Sequence, residues 1–324
     1  MKFANLNITG KMNKIKYIIG IAAICMTISG CGIKKETGNK KNDIAKMELK
    51  GKIKSRKQVR CIVKDSSLHP PIDTSGCRSN SYYSFNENGD RIEEDLFSNF
   101  DQAFESKSVK EYDKVGKVTM EKIYNSKGRL FREMMYKYDE AGNNNEIDIT
   151  NDSGKVISKN LRKFDARGNM IELDSYDEYN HPNGKRMFTY DNKDNITEIR
   201  MYGAKSDSLS YKSTNEYDAN GNIIKYTEYN EDGSLDLMVE MVYGNNNHLT
   251  SDTMFNSKHL YIQRTVYTND ANGNPTETIY YSGGINTPNR REIAEYDKEG
   301  NWIKRIGIKN GKVVRIEECF IEYY

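Results

Sequence analysis

Histidine, cysteine, proline and tryptophan are all scarce in this chain of 324 residues, with four, five, five and one copies respectively. None of His69, His181, His248 and His259 has a second His or Cys at metal-ligand spacing, so structural or surface roles are expected for all four. No G-x-S-x-G, Walker loop or dinucleotide fingerprint occurs, and neither a cofactor nor a metal is expected. Acidic residues are plentiful, so a glycosidase-like carboxylate pair stays open. No Pro-rich or Ser-rich linker divides the chain, which argues for one folded domain. The apolar run Tyr17 to Ile28 is about a dozen residues, too short to cross a bilayer as a helix. A net charge of +2 without a basic patch gives no nucleic-acid footprint.

What is present is a repeat. The stretch Tyr217-Asp218-Ala219-Asn220-Gly221-Asn222-Ile223 recurs as aromatic, Asp or Asn, two free residues, Gly, polar, apolar. Good copies start at Tyr138, Phe164, Tyr190, Tyr217 and Tyr296, and worn ones at Tyr176, Tyr202, Tyr243 and Tyr267. Alternating steps of 12 and 14 residues run from Tyr112 to Tyr202, a period of about 26 residues for each hairpin pair. Asp139, Asp165, Asp218 and Asp297 can each accept a hydrogen bond from an amide two residues on. Gly142, Gly168, Gly221 and Gly300 supply the left-handed conformation that follows. Together they spell a hairpin on a type I turn with a Gly bulge. Between turns lie about eight residues rich in Ile, Val, Tyr, Thr and Met, suited to a strand.

Even steps predict that every motif aromatic stays on one common apolar face. Burial is then expected for Tyr138, Phe164, Tyr190, Tyr217 and Tyr296, and Trp302 is assigned to the core. Two 15-residue steps, at Gly203 to Ser208 and Gly283 to Pro288, are read as longer loops. The turns at Asp191 to Asn195 and Asn269 to Asn274 share Asp and Asn with calcium loops but lack the closing Glu, so a turn role is favoured.

The N-terminal text has its own pattern. Lys11, Lys14 and Lys16 precede the apolar run, and Ile28-Ser29-Gly30-Cys31 follows it. This resembles the bacterial lipoprotein signal, in which cleavage precedes the cysteine and that cysteine is lipidated. The resemblance implies a signal peptide at 1–30, a palmitate-type anchor on Cys31 and a polar tether at 31–47. Loss of Lys2, Lys11, Lys14 and Lys16 with the signal makes the mature chain slightly acidic. Cys61 and Cys77 bracket a Pro-Pro loop; they form a disulfide in an oxidising envelope or remain two buried thiols. Cys319 is expected in the last strand as a small apolar residue.

At Tyr138-Asp139-Glu140-Ala141-Gly142-Asn143, Phe164-Asp165-Ala166-Arg167-Gly168-Asn169, and the matching stretches from Tyr217 and Tyr296, the chain resembles the RHS/YD-repeat proteins. It is most similar to short, lipid-anchored members from Bacteroidota-like bacteria. The shells and toxins of the large members are not carried over, because the chain is too short and has no toxin-like end. The β-hairpin repeat is.

The expected fold is all-β: a repetitive antiparallel hairpin meander over residues 48–324, of about sixteen to eighteen strands, forming a long twisted or rolled sheet. The expected function is a non-enzymatic, lipid-anchored scaffold of the cell envelope that binds a partner protein. A glycan-binding module of the outer membrane or periplasm is the alternative, and an envelope hydrolase is a third. The side of the membrane is left open.

Overall fold

A computed structural model of the chain describes residues 42–63, 77–97, 103–204, 208–282 and 287–324. The expected signal peptide, the anchor Cys31, His69 and the central residues of the two long loops lie outside the described residues. One helical turn, α1 (Asp43–Lys46), precedes twenty strands. The first ten are β1 (Ile53–Ile62), β2 (Arg78–Phe85), β3 (Arg91–Phe97), β4 (Phe104–Tyr112), β5 (Val118–Asn125), β6 (Leu130–Tyr138), β7 (Asn144–Asn151), β8 (Val156–Phe164), β9 (Met170–Asp177) and β10 (Pro182–Tyr190). There follow β11 (Ile196–Gly203), β12 (Leu209–Tyr217), β13 (Ile223–Tyr229), β14 (Leu235–Tyr243), β15 (Leu249–Asn256), β16 (Tyr261–Asn269), β17 (Pro275–Ser282), β18 (Arg290–Tyr296), β19 (Trp302–Lys309) and β20 (Lys312–Tyr323).

Each strand pairs antiparallel with its neighbours in sequence, and β1 pairs with both β2 and β20. The sheet is therefore a closed barrel of twenty strands. This corrects the expected open or rolled sheet of fewer strands. The motif pattern does not mark β1, and β20 is longer than the repeat strands at 12 residues. Their ladder, from Arg56 opposite Ile321 to Ile62 opposite Arg315, covers the two edges that an open meander would expose. A path drawn across the strands returns to its starting strand about 20 residues further on, which matches a strand tilt of about 35–45°.

The turns form as their residues dictate. Gly142, Gly168, Gly221 and Gly300 have φ of 87°, 83°, 86° and 85°. Each amide bonds back to the motif Asp carbonyl, at 2.9 Å for Gly142 and 3.1 Å for Gly221. Beside each turn, however, the register shifts once more. Tyr112 faces Val118 while Glu111 faces Met120, which leaves Thr119 as an extra residue. Tyr138 faces Asn144 and Lys137 faces Glu146, leaving Asn145. An extra residue reverses the alternation of side chains.

Tracing directly opposed pairs shows the consequence. Tyr112, Tyr138, Phe164, Tyr190, Tyr217, Tyr243 and Tyr296 share one face of the wall, whereas Tyr124, Tyr176, Tyr202 and Tyr229 take the other. The expectation of one common aromatic face fails for this reason.

The first face is the inner one. Side chains converge on the concave side of a closed ring, and the buried groups concentrate there: Tyr226, Val239 and Met254 are directly opposed and 4%, 1% and 4% exposed. On the other face of the same strand Val242 is 57% exposed. A twenty-strand ring is wider than side chains can fill. Accordingly, the apolar cluster described sits at one end, where Ile44, Ile53 and Phe85 are buried beside Met47, Leu49, Tyr83, Ile321 and Tyr323. Residues 42–47, counted with the tether, hold α1 at this end. Asn42 caps α1, Ile44 N bonds Gly89 O at 3.0 Å, and Asp43 receives Lys110 at 3.2 Å.

Candidate functional site

One rim of the barrel is a ring of Asp turns. In each good copy one Asp oxygen accepts two amides: Arg167 N and Asn169 N reach Asp165 Oδ1 at 2.9 and 2.8 Å, and Asn220 N and Asn222 N reach Asp218 Oδ1 at 2.9 Å. The Asn after the Gly donates to the second oxygen at 3.1 Å for Asn169 and 2.8 Å for Asn222, whereas Asn301 donates to Lys50 O and Tyr323 OH and leaves the second oxygen of Asp297 to the Tyr323 hydroxyl. Asp218 sits below the usual aspartate range because Asn222 and these amides favour its charged form. Burial pushes Asp139 and Asp165 up, but amide and Asn donors outweigh it and both end lowered. Neighbouring turns are stitched together: Asn169 Nδ2 donates to Asp194 at 2.8 Å, and Lys50 exchanges two 2.8 Å bonds with Asn301.

The motif tyrosines are latches. Tyr138 OH donates to Val118 O at 2.9 Å, Tyr190 OH to Met170 O at 2.7 Å, Tyr217 OH to Ile196 O at 2.7 Å and Tyr296 OH to Pro275 O at 3.1 Å. Each hydroxyl reaches the start of the preceding strand, and Tyr324 OH closes the seam on Phe85 O at 2.7 Å. Burial, with nearby aspartates, pushes the Tyr190 hydroxyl up to about 12, and burial takes Tyr217 to about 12 as well. The rings are half-buried rather than buried. In the copy read as starting at Tyr267 the latch is Asn269, whose Nδ2 donates to Leu249 O at 2.8 Å.

The outer wall is a lattice of ion pairs. Lys137 meets Glu146 and Asp148 at 2.7 Å each, and Lys159 meets the same two at 3.2 and 3.6 Å across β6, β7 and β8. Lys163 and Lys185 share Glu172 at 2.5 and 3.5 Å, and Lys212 reaches Glu198 at 3.0 Å. Glu172 and Asp174 titrate apart: a hydrogen bond from Lys163 lowers Glu172, while burial and Glu172 raise Asp174. The lysine ends are largely solvent-exposed, and pairs screened in this way each add little to stability. They do decide what the wall can touch. A strand wall that crosses a bilayer presents an apolar band outward, and a charge there costs about 2–4 kcal/mol.

The inner wall uses different chemistry. Its bases are mainly arginines, among them Arg56, Arg132, Arg162, Arg186, Arg290 and Arg305, where the outer wall uses mainly lysine. Bases outnumber acids inside, and acids outnumber bases outside. Arg290 stacks on Tyr280 at 4.5 Å, and both Arg56 and Arg305 lie over Trp302, at 5.1 and 4.3 Å. Trp302 is therefore half-buried under cations rather than core. The inner carboxylates are held by hydroxyls and guanidiniums: Tyr267 OH donates to Asp252 at 2.7 Å, Tyr226 OH to Glu228 at 2.5 Å, and Arg60 Nε to Glu317 at 2.7 Å.

Cys61 and Cys77 are joined as a disulfide. Cys319 is buried, with Arg56 Nε at 3.1 Å from its sulfur. His181 and His248 occupy the Asn slot of worn turns, and His259 holds the Gly slot at φ 56°. Among the described residues no group of three His, Cys, Asp or Glu is placed to hold a metal. Sequence reasoning missed the latch hydroxyls, the second role of the turn Asn and the inner arginines. The arginine signal was available in the separation of Arg from Lys along the strands, but it needs the correct register to be seen.

No known family profile matches the chain, and no curated protein does. Solved structures similar to it include the Photorhabdus luminescens Tc holotoxin pore, at 14% identity and a TM-score of 0.40 over 80% of this chain. The chain spans 17% of that protein's length. A porin-like protein from Bacteroides uniformis is 11% identical with a TM-score of 0.33, covering 83% of this chain and 98% of its own. A porin-like protein from Bacteroides vulgatus is 9% identical with a TM-score of 0.29, covering 83% and 97%.

Proposed function

We propose that this chain is a lipid-anchored, non-enzymatic binding barrel of the bacterial cell envelope, tethered through Cys31 and presenting its inner wall to a partner. One observation carries the binding surface. Bases on the outer wall largely face carboxylates, whereas Arg56, Arg132, Arg162, Arg186 and Arg305 on the inner wall have no carboxylate partner among the described residues. The non-enzymatic reading is supported by how the chain spends its reactive residue types. Motif aspartates hold turns, motif tyrosines latch strands, and outer carboxylates pair with lysines. The partner expected from the sequence is an envelope protein; the inner mixture of Arg, Tyr, Ser, Thr and Asn favours the glycan alternative.

Two measurements test this. Mass spectrometry of the membrane fraction should find acyl chains on Cys31, and Cys31→Ala should move the protein to the soluble fraction. An unmodified cysteine on membrane-bound protein would refute the anchor. A photo-cross-linker placed at Arg186 should capture a partner in cells, and one at Lys212 should not. Capture at Lys212 alone would move the binding surface outside.

A further inference from the structure

We infer that a row of inner-wall side chains, Arg162, Arg186 and Tyr211, binds an acidic polysaccharide through its uronate groups. This rests on the binding-barrel reading and deepens it. The row follows from the register: Arg162 faces Leu173, Leu173 faces Arg186, Arg186 faces Met201, and Met201 faces Tyr211. These residues therefore run across β8, β9, β10, β11 and β12 in one line, perpendicular to the strands.

Arg162 is the anchor. It is half-buried, its Nε has no hydrogen-bond partner, and Nη1 donates to the neutral Asn144. Burial pulls the guanidinium down from its ordinary value, and Tyr136 and Tyr138 only partly oppose this. An arginine remains charged in proteins, so this is a partly desolvated cation without an anion. Arg186 is exposed and has no carboxylate beside it among the described residues. The guanidinium fork matches a carboxylate in a bidentate way that lysine does not. The wall thus holds two forks of the kind that bind carboxylates, with the carboxylates missing.

Spacing selects the polymer. Two strands separate Arg162 from Arg186, about 9.5 Å. An extended peptide repeats its side chains on one face every 6.5–7 Å or about that. An extended polyuronate whose successive sugars face opposite ways shows one side a carboxylate at every second sugar, a longer step that fits the two-strand interval. Met201 and then Tyr211 continue the row with an apolar and an aromatic surface, suited to the C–H face of a sugar ring. Tyr211 is held upright by its hydroxyl, 2.7 Å from Tyr226 OH and 3.2 Å from Glu228. The outer wall, acidic on balance, would repel the same polymer and leave the lumen as its place.

The test uses the full-length lipidated protein in detergent micelles, passed over immobilised polygalacturonate and, separately, over neutral dextran. Retention on polygalacturonate, absent on dextran, is the expected result. Arg186→Gln should weaken it about tenfold, the loss expected for one charge-assisted pair. Arg162→Gln should do the same, and the outer-wall control Lys212→Gln should stay within about twofold. Should Arg162→Gln fail to fold, the exposed Arg186 carries the test alone. Equal retention on dextran, or retention indifferent to Arg186→Gln, overturns the inference. So does displacement by poly-glutamate at lower concentration than by galacturonate oligomers, which would make the ligand an acidic peptide. Cross-linking from Arg186 in cells without any retention on polygalacturonate would sink the glycan and leave the binding barrel standing.

Discussion

Asn222 shows how much one residue of the repeat does. Its amide and side chain both bond Asp218, and its Nδ2 also reaches Asn247 in the next turn. The neighbouring Gly221 has φ 86° and nothing within 4 Å of an added Cβ. Gly221→Ala should therefore cost about 1 kcal/mol from backbone strain alone, read as a lower urea midpoint at unchanged slope. Turns without Gly at that position meet the same strain with Asn180, Asp194 and Asn247, at φ 63°, 65° and 61°. The latches give a second prediction. Tyr190 and Tyr217 are shifted from 10.0 to about 12, so the stability they add is full below pH 10 and is lost as pH rises through 12. Tyr217→Phe should lose about 1 kcal/mol at pH 7 and unfold less steeply in alkali by circular dichroism. The Asp and Gly roles were legible because turn chemistry is local. The hydroxyl roles were not, because nothing in a sequence says which carbonyl a tyrosine crosses a strand to meet.

The element scale is where reasoning from the sequence broke. Strand existence, length and hairpin order were readable from spacing. The facing of the side chains was not, because one additional residue beside each turn defeats any parity rule. A trace of this survives in the text. Thr197, Thr250 and Thr276 occupy that extra position, and each hydroxyl donates to a carbonyl of the preceding strand, at 3.2, 3.0 and 3.1 Å. Closure was unreadable for another reason: β1 and β20 lack the motif, and their pairing joins residues far apart in the chain. Removing residues 316–324 should leave two unpaired edges and convert a monodisperse protein to aggregates in analytical ultracentrifugation. At the β1–β2 connection, the Cys61–Cys77 bridge spans 16 residues. Cys61→Ser with Cys77→Ser should cost about 3 kcal/mol by the chain-entropy estimate, measured as denaturant stability under oxidising conditions.

For the whole molecule, the wall segregates its charges by kind as well as by sign, and net charge hid this completely. A chain at +2 overall carries an arginine-rich inside and a lysine–carboxylate outside. The rim sets its acid limit. Asp165, Asp218 and Asp270 are all lowered, so their contribution is full above the ordinary value of 3.8 and disappears as pH falls below it. Asp218→Asn keeps the acceptor oxygen and should flatten the acid limb of a pH titration followed by circular dichroism. The seam between the first strand and the last bears on how the protein is made. A chain is synthesised amino end first, so β1 appears with β2 as its partner and its other edge bare. That edge stays unsatisfied until the final dozen residues arrive. Until β20 has been made, the protein is an open ribbon that needs shielding, and a chain cut short before it announces itself by two sticky borders.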